Sequence, residues 1–275
     1  MNRLMGSSIA FAAALAALTV QPAVSSISIP LKPSGPWTVE YADSMCIVGR
    51  KFRTGDQQVT LGFRPGPLSE YMRIALWFAD EGKKFSRGMA MLALDGLAPV
   101  EEQYAEGPIS IKGTHLVQID TERPKIETLH TAKLLHVRAG DRTWTFSLGN
   151  IAGAMKALAG CEKDLLVKWG MDPVVLESIE TQAVHPNGIV SIFRTDDYPS
   201  AAIMGNEQGT AGVHFRIGTN GRAGDCRVVE SSGSKNLDAK TCMIITKRAR
   251  YQPAKTKAGQ PVESIGFQRI RWEMP

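Results

Sequence analysis

The chain has 275 residues, 32 Lys and Arg against 27 Asp and Glu, and 43% hydrophobic residues. That is enough apolar material for one or two packed domains and too much for a disordered chain. The formal excess of +5 belongs wholly to the stretch from Arg194 onward, where thirteen Lys and Arg meet eight Asp and Glu. No RNA or DNA motif accompanies that basic end, so no nucleic acid is expected as a partner.

The N-terminus reads as a signal peptide over residues 1–25. Arg3 precedes an apolar run from Ile9 to Val20, and Ala23-Val24-Ser25 offers a small-residue cleavage site. The alternative is an inner-membrane anchor: counted from Met5 to Val24 the stretch reaches a length that spans a bilayer, although Gly6, Ser7, Thr19 and Pro22 weaken it. Membrane contact is expected only if this segment is retained. The compartment expected is the periplasm.

Residues 30–170 read as an all-β sandwich or barrel-like domain. Runs at Trp37–Tyr41, Cys46–Val48, Val59–Phe63, Met72–Phe78, Met89–Leu94 and Trp144–Leu148 are separated by turn signals such as Arg64-Pro65-Gly66-Pro67 and Ala139-Gly140-Asp141. Trp37, Trp77, Trp144 and Trp169 are expected as core aromatics. Asn150 then reads as the cap of a closing helix, with Ile151, Ala154, Met155, Leu158 and Cys161 at helical spacing. Residues 171–192 read as a linker with hinge points at Asp172-Pro173 and His185-Pro186-Asn187-Gly188.

A second domain is expected over 193–275. Pro199 opens a short helix. Val213, Phe215 and Ile217 alternate with His214 and Arg216, and Asn220-Gly221 has the composition of a type I′ turn leading into Cys226, Val228 and Glu230. After Gly233 the period turns helical through Leu237, Thr241, Ile244 or Ile245 and Arg248, with Asn236 as the expected N-cap. Val262 to Glu273 forms a last strand whose apolar alternation slips between Phe267 and Ile270. Three antiparallel strands with both helices on one face follow, so the whole chain is α+β.

The ordered run Tyr198-Pro199-Ser200-Ala201-Ala202, Gly209-Thr210-Ala211-Gly212-Val213-His214-Phe215-Arg216-Ile217, Gly221-Arg222, Ser231-Ser232-Gly233, Leu237-Asp238 and Ala249-Arg250-Tyr251-Gln252-Pro253-Ala254 resembles the C-terminal domain of TonB energy transducers. The resemblance implies that a peptide of an outer-membrane receptor adds as a strand along the last strand. It places the peptide-binding site at Ile265, Gly266, Phe267, Gln268, Arg269, Ile270 and Arg271, bordered by Tyr198 and Pro199. A dimer is an allowed state. Arg250-Tyr251 matches the family's helix-end Arg-Tyr before proline, with Ala249 where tryptophan is frequent; Tyr251 is expected as core packing and Arg250 as a helix-end cation. The transducers' long Pro-rich spacer is missing, and a β domain stands in its place. That domain's end, Ser147-Leu148-Gly149-Asn150-Ile151-Ala152-Gly153-Ala154-Met155, resembles invasion-associated locus B proteins.

Four cysteines in an exported chain imply disulfides. The module boundaries select Cys46 with Cys161 and Cys226 with Cys242, the second pair marking a variant branch of the family. No cysteine has zinc-ligand spacing, and no metal or cofactor is expected. Catalytic motifs are missing as well. Ser232-Gly233-Ser234-Lys235 spells the S-x-x-K of penicillin-binding proteins without the S-D-N and K-T-G that must accompany it. The expected function is non-enzymatic peptide binding, possible transport across the envelope following from it. The alternatives are an envelope enzyme with its site in the β domain and a peptidoglycan-binding structural module.

Overall fold

The computed structural model describes residues 29–274 apart from 67–70, 83, 96 and 110; the expected signal peptide lies outside the described residues. Among the described residues, ten strands precede the first α-helix: β1 Lys32–Pro33, β2 Thr38–Tyr41, β3 Cys46–Thr54, β4 Gln57–Pro65, β5 Tyr71–Ala79, β6 Ser86–Leu94, β7 Val100–Pro108, β8 Thr114–Glu122, β9 Leu134–Ala139 and β10 Arg142–Ser147, with a 3-10 helix, Arg123–His130, between β8 and β9. They form one antiparallel sheet in the order β1-β3-β4-β5-β8-β7-β6-β9-β10, with β2 on β3 beside β1. Leu31 nearly closes it into a barrel, because its N–H donates to the Thr145 carbonyl (2.7 Å) while its own carbonyl accepts from Ser147 (3.0 Å). Alternate residues such as Phe52, Phe63, Ile74, Leu76, Ile119, Leu135 and Phe146 fill the interior. The domain is therefore barrel-like, as its short extended runs imply.

Sequence reading leaves β7, β8 and β9 unmarked. β7 carries Glu101, Glu102, Gln103 and Glu106 among few apolar residues, so its sheet position comes from pairing with β6 and β8 rather than from its own pattern. Helix α1, Ala152–Lys168, closes the domain through Ala154, Leu158, Cys161 and Leu165, and Cys161 is bridged to Cys46 on β3. Asn150 is not its cap: Ile151 holds that position, with no side chain bonded to the first turn.

Residues 171–192 are folded rather than coiled. Asp172 caps α2, Pro173–Ser178, by accepting from the Val174 N–H (2.7 Å), and β11, Ile179–Thr181, follows. A turn at His185–Gly188 leads into a 3-10 turn, Ile189–Ile192, whose Ile189 is buried in the next core.

The C-terminal module runs α3 Ser200–Met204, β12 Gly209–Ile217, β13 Ala223–Glu230, α4 Lys235–Arg248, β14 Ala254–Thr256, β15 Pro261–Val262 and β16 Ser264–Trp272. Its antiparallel sheet is β13-β12-β16, and β11, β14 and β15 make a second small sheet. Val213, Phe215 and Ile217 face Ile245 of α4 and Ala249 at its C-terminal cap, while Ala202 of α3 joins Leu237, Ile244, Ile270 and Trp272, so both helices cover one face. Cys226 on β13 is bridged to Cys242 on α4. Two local expectations fail here. Ser234, not Asn236, caps α4 by accepting from the Leu237 N–H (3.2 Å), while Asn236 already lies inside the first turn and its amide donates to Glu207 (3.1 Å). The hairpin turn is not type I′, since only Gly221 has positive φ; the Gly221 N–H bonds the Gly218 carbonyl and the Asn220 side chain accepts from the Arg222 N–H. That is a type I turn closed by a left-handed glycine.

Gly221 is fixed twice over. Its φ is +74°, and a Cβ there would sit 2.0 Å from the Tyr251 carbonyl oxygen. Gly221→Ala should destabilise the module by about 1–3 kcal/mol from backbone strain before the clash is counted. Urea unfolding checks this; an unchanged midpoint would mean that the turn relaxes freely.

Candidate functional site

β16 is a strand because Ile265, Phe267, Ile270 and Trp272 are the β-branched and aromatic residues that suit a pleated surface. It pairs with β12 without interruption from Gly209↔Trp272 to Ile217↔Ser264. The slip in its apolar alternation is therefore no bulge. Ile270 and Trp272 point to the helices, and the Trp272 indole donates to Thr241 Oγ1 (2.9 Å). Ile265 and Phe267 point the other way and are covered by the end of the N-terminal domain. Ile265 packs with Leu166 and Met171, and the Trp169 ring stacks on both His214 (4.8 Å, 3°) and Phe267 (5.5 Å, 18°). Trp169 is thus a contact between the two halves, held by its indole N–H donating to the Asp43 carbonyl (3.1 Å). Ser44 adds a hydrogen bond to Glu230, and Glu230 in turn grips Arg269. Burial and the nearby Arg227 lower the pKa of His214, which favours its neutral form in the stack.

The opposite edge of β16 pairs with no strand, and among the described residues no backbone hydrogen bond ties it to another segment. A groove runs beside it in three lobes. The middle lobe, about 570 Å³, lies between Phe267, Gln268 and Arg269 on one side, Arg64, Tyr71, Arg73 and Asp120 of the barrel on another, and Gly188–Val190. One end lobe, about 400 Å³, is bounded by Gln182, His185, Tyr251 and Ser264; the other, about 500 Å³, by Phe193, Tyr198, Ile270, Arg271 and Trp272.

The residues expected to bind peptide take different positions around this groove. Gln268 and Arg269 line its middle, and the Gln268 amide lies 3.3 Å from the Arg269 carbonyl. Gly266 has no room for a side chain, since the Phe215 ring packs on its backbone and a Cβ would sit 2.5 Å from that ring. Arg271 is exposed beside Glu273 (2.8 Å). Tyr198 stands edge-on to Trp272 (5.4 Å, 88°) at one end, whereas Pro199 is the N-cap residue of α3 and lines none of the three lobes. Tyr251 packs against Phe215 (5.9 Å), and burial raises its phenol pKa. The Arg250 guanidinium donates to the Ala249 carbonyl at the helix end (2.6 Å).

Asp197 is nearly fully buried and grips the Arg248 fork, which also donates to the Ile192 carbonyl (2.9 Å). This fixes the strap that walls the groove to α4. The hydrogen bond from Arg248 lowers the Asp197 pKa. The S-x-x-K serines are spent on capping: the Ser232 hydroxyl bonds Asp238 (2.7 Å), and Ser234 caps α4. Among the described residues, no group of three or more His, Cys, Asp and Glu is placed to hold a metal.

Sequence reading misses Arg64, Tyr71, Arg73 and Asp120. More than a hundred residues separate each from β16, and nothing in their local pattern marks a shared groove.

Residues 195–274 match the family model of the Gram-negative bacterial TonB protein C-terminal. The C-terminal module is therefore a TonB C-terminal domain, here with the Cys226–Cys242 bridge, and that family is an interaction domain rather than a catalytic one. No curated protein matches the chain.

Proposed function

We propose that the chain works in the periplasm and binds an extended peptide segment of an outer-membrane receptor as an added strand on the free edge of β16. The observation that carries this reading is a nine-residue strand, fully paired on one side and bare on the other, beside a groove along its length. An unpaired edge presents N–H and C=O groups at a spacing that only another extended backbone matches, so main-chain bonds supply affinity and alternate side chains supply selection. In this reading residues 193–275 hold the peptide, residues 171–192 strap one side of the groove, and residues 30–170 wall the other. Two disulfides fit an oxidising compartment.

The test uses fluorescein-labelled peptides tiling the periplasmic N-terminal segments of outer-membrane receptors, titrated into the full-length chain. Binding is expected near micromolar strength, about −8 kcal/mol. N-methylation at every second amide of a bound peptide should abolish binding in one phase and spare it in the other, because successive amides of a strand point to opposite edges. Equal tolerance in both phases would rule out strand addition.

A further inference from the structure

Among the described residues, the middle lobe of the groove beside β16 holds one cation more than the carboxylates paired with it. Arg73 forks onto Asp120 through two bonds of 2.7 Å, and Arg269 forks onto Glu230. Arg64, from β4, lines the same lobe as Phe267, Gln268 and Arg269, and its half-buried guanidinium makes no hydrogen bond or ion pair with any described residue. Asp120 and Glu230 attract it from a distance, but each is already taken by another arginine. Burial first, and then the neighbouring Arg73, lower its pKa from the ordinary arginine value. A guanidinium drawn partly out of water with no acceptor leaves its donors unused, and a planar carboxylate is the group its fork fits best.

A strand added to β16 would direct alternate side chains to the face that bears Phe267 and Arg269, which is the face turned to the barrel. We propose that Arg64 takes the carboxylate of an Asp or Glu side chain of the bound peptide, opposite the middle of β16, so that the N-terminal β domain helps to choose the ligand. This rests on the strand-addition reading. It assigns a recognition role to a residue outside the TonB C-terminal domain.

The probe is a phage-displayed library of random 12-residue peptides panned on the full-length chain. Wild-type protein should enrich Asp or Glu at one position, and changing that residue to Gln or Asn should weaken binding about tenfold. On Arg64→Met the acidic and amide peptides should bind within twofold of each other, and Arg64→Glu should shift the enrichment to Lys or Arg at the same position. Should Arg64→Met fail to fold, the wild-type comparison and the shifted preference of Arg64→Glu decide. Peptides that bind without acidic enrichment, a preference that persists in Arg64→Met, or a preference abolished by amidating the peptide C-terminus would each overturn the role of Arg64 and leave strand addition standing. Recovery of no peptide at all would instead remove strand addition, and this inference with it.

Discussion

A Gln268→Pro chain should lose receptor-peptide binding entirely, while Gln268→Ala should bind as the unsubstituted protein does. Gln268 lies in the middle lobe of the groove, opposite Val213 of β12 in the strand register. Its side chain reaches only the neighbouring carbonyl of Arg269. If affinity comes from the backbone edge, truncating that side chain removes little, whereas proline deletes a donor and pushes its ring into the pairing direction. Because successive amides alternate between edges, Phe267→Pro is the companion variant. One of the two prolines faces the groove and should leave the sheet intact, and the other should break the ladder to β12. The variant whose circular dichroism and melting are preserved is the informative one, and peptide titration reads it. A folded proline variant that binds at wild-type strength would end the strand-addition reading.

Replacing Cys226 and Cys242 together by serine should cost the C-terminal module about 3 kcal/mol. The bridge closes a loop of 16 residues, and the loss follows from the loop entropy restored to the unfolded chain. For a module of this size that corresponds to a fall in Tm on the order of 10–20 °C. The bridge ties β13 to α4, and β13 needs the tie: its pairing with β12 shifts register twice, and Val228 is exposed. Thermal unfolding of the double variant against wild type, with peptide mapping under non-reducing conditions, is the measurement. An unchanged melting curve would mean that α4 holds β13 by packing alone.

The C-terminal module was legible in the sequence because each of its elements obeys its own period. Val213, Phe215 and Ile217 mark a strand, and Leu237, Thr241 and Ile244 mark a helix, without reference to anything distant. The errors there are local and have local causes. The helix starts at Lys235, which puts Ser234 rather than Asn236 at the cap, and Asn220 supplies a side-chain acceptor to the turn rather than a left-handed backbone. In the barrel, strands with strong apolar patterns were visible, while β7 is held by its neighbours and gave no sign of its own. The groove was half legible. Its floor follows from the resemblance, but its walls come from strands and turns brought together only by folding, and the slip at Phe267 shows its cause only once Trp169 is seen covering that face.

The bridge between Cys46 and Cys161 also decides how the molecule carries load. Tension applied between residue 29 and a ligand held on β16 can peel away Leu31, β1 and β2 one bond at a time. At Cys46 the force then crosses the sulfurs to Cys161 and runs through α1 to Trp169. Residues 47–160, nearly all of the barrel, are bypassed, so the slack on the N-terminal side of the bridge is limited to residues 29–45, no more than about 60 Å of extended chain. The barrel would ride beside the load path as an unstressed body, keeping its wall of the groove in shape while the chain around it is pulled taut.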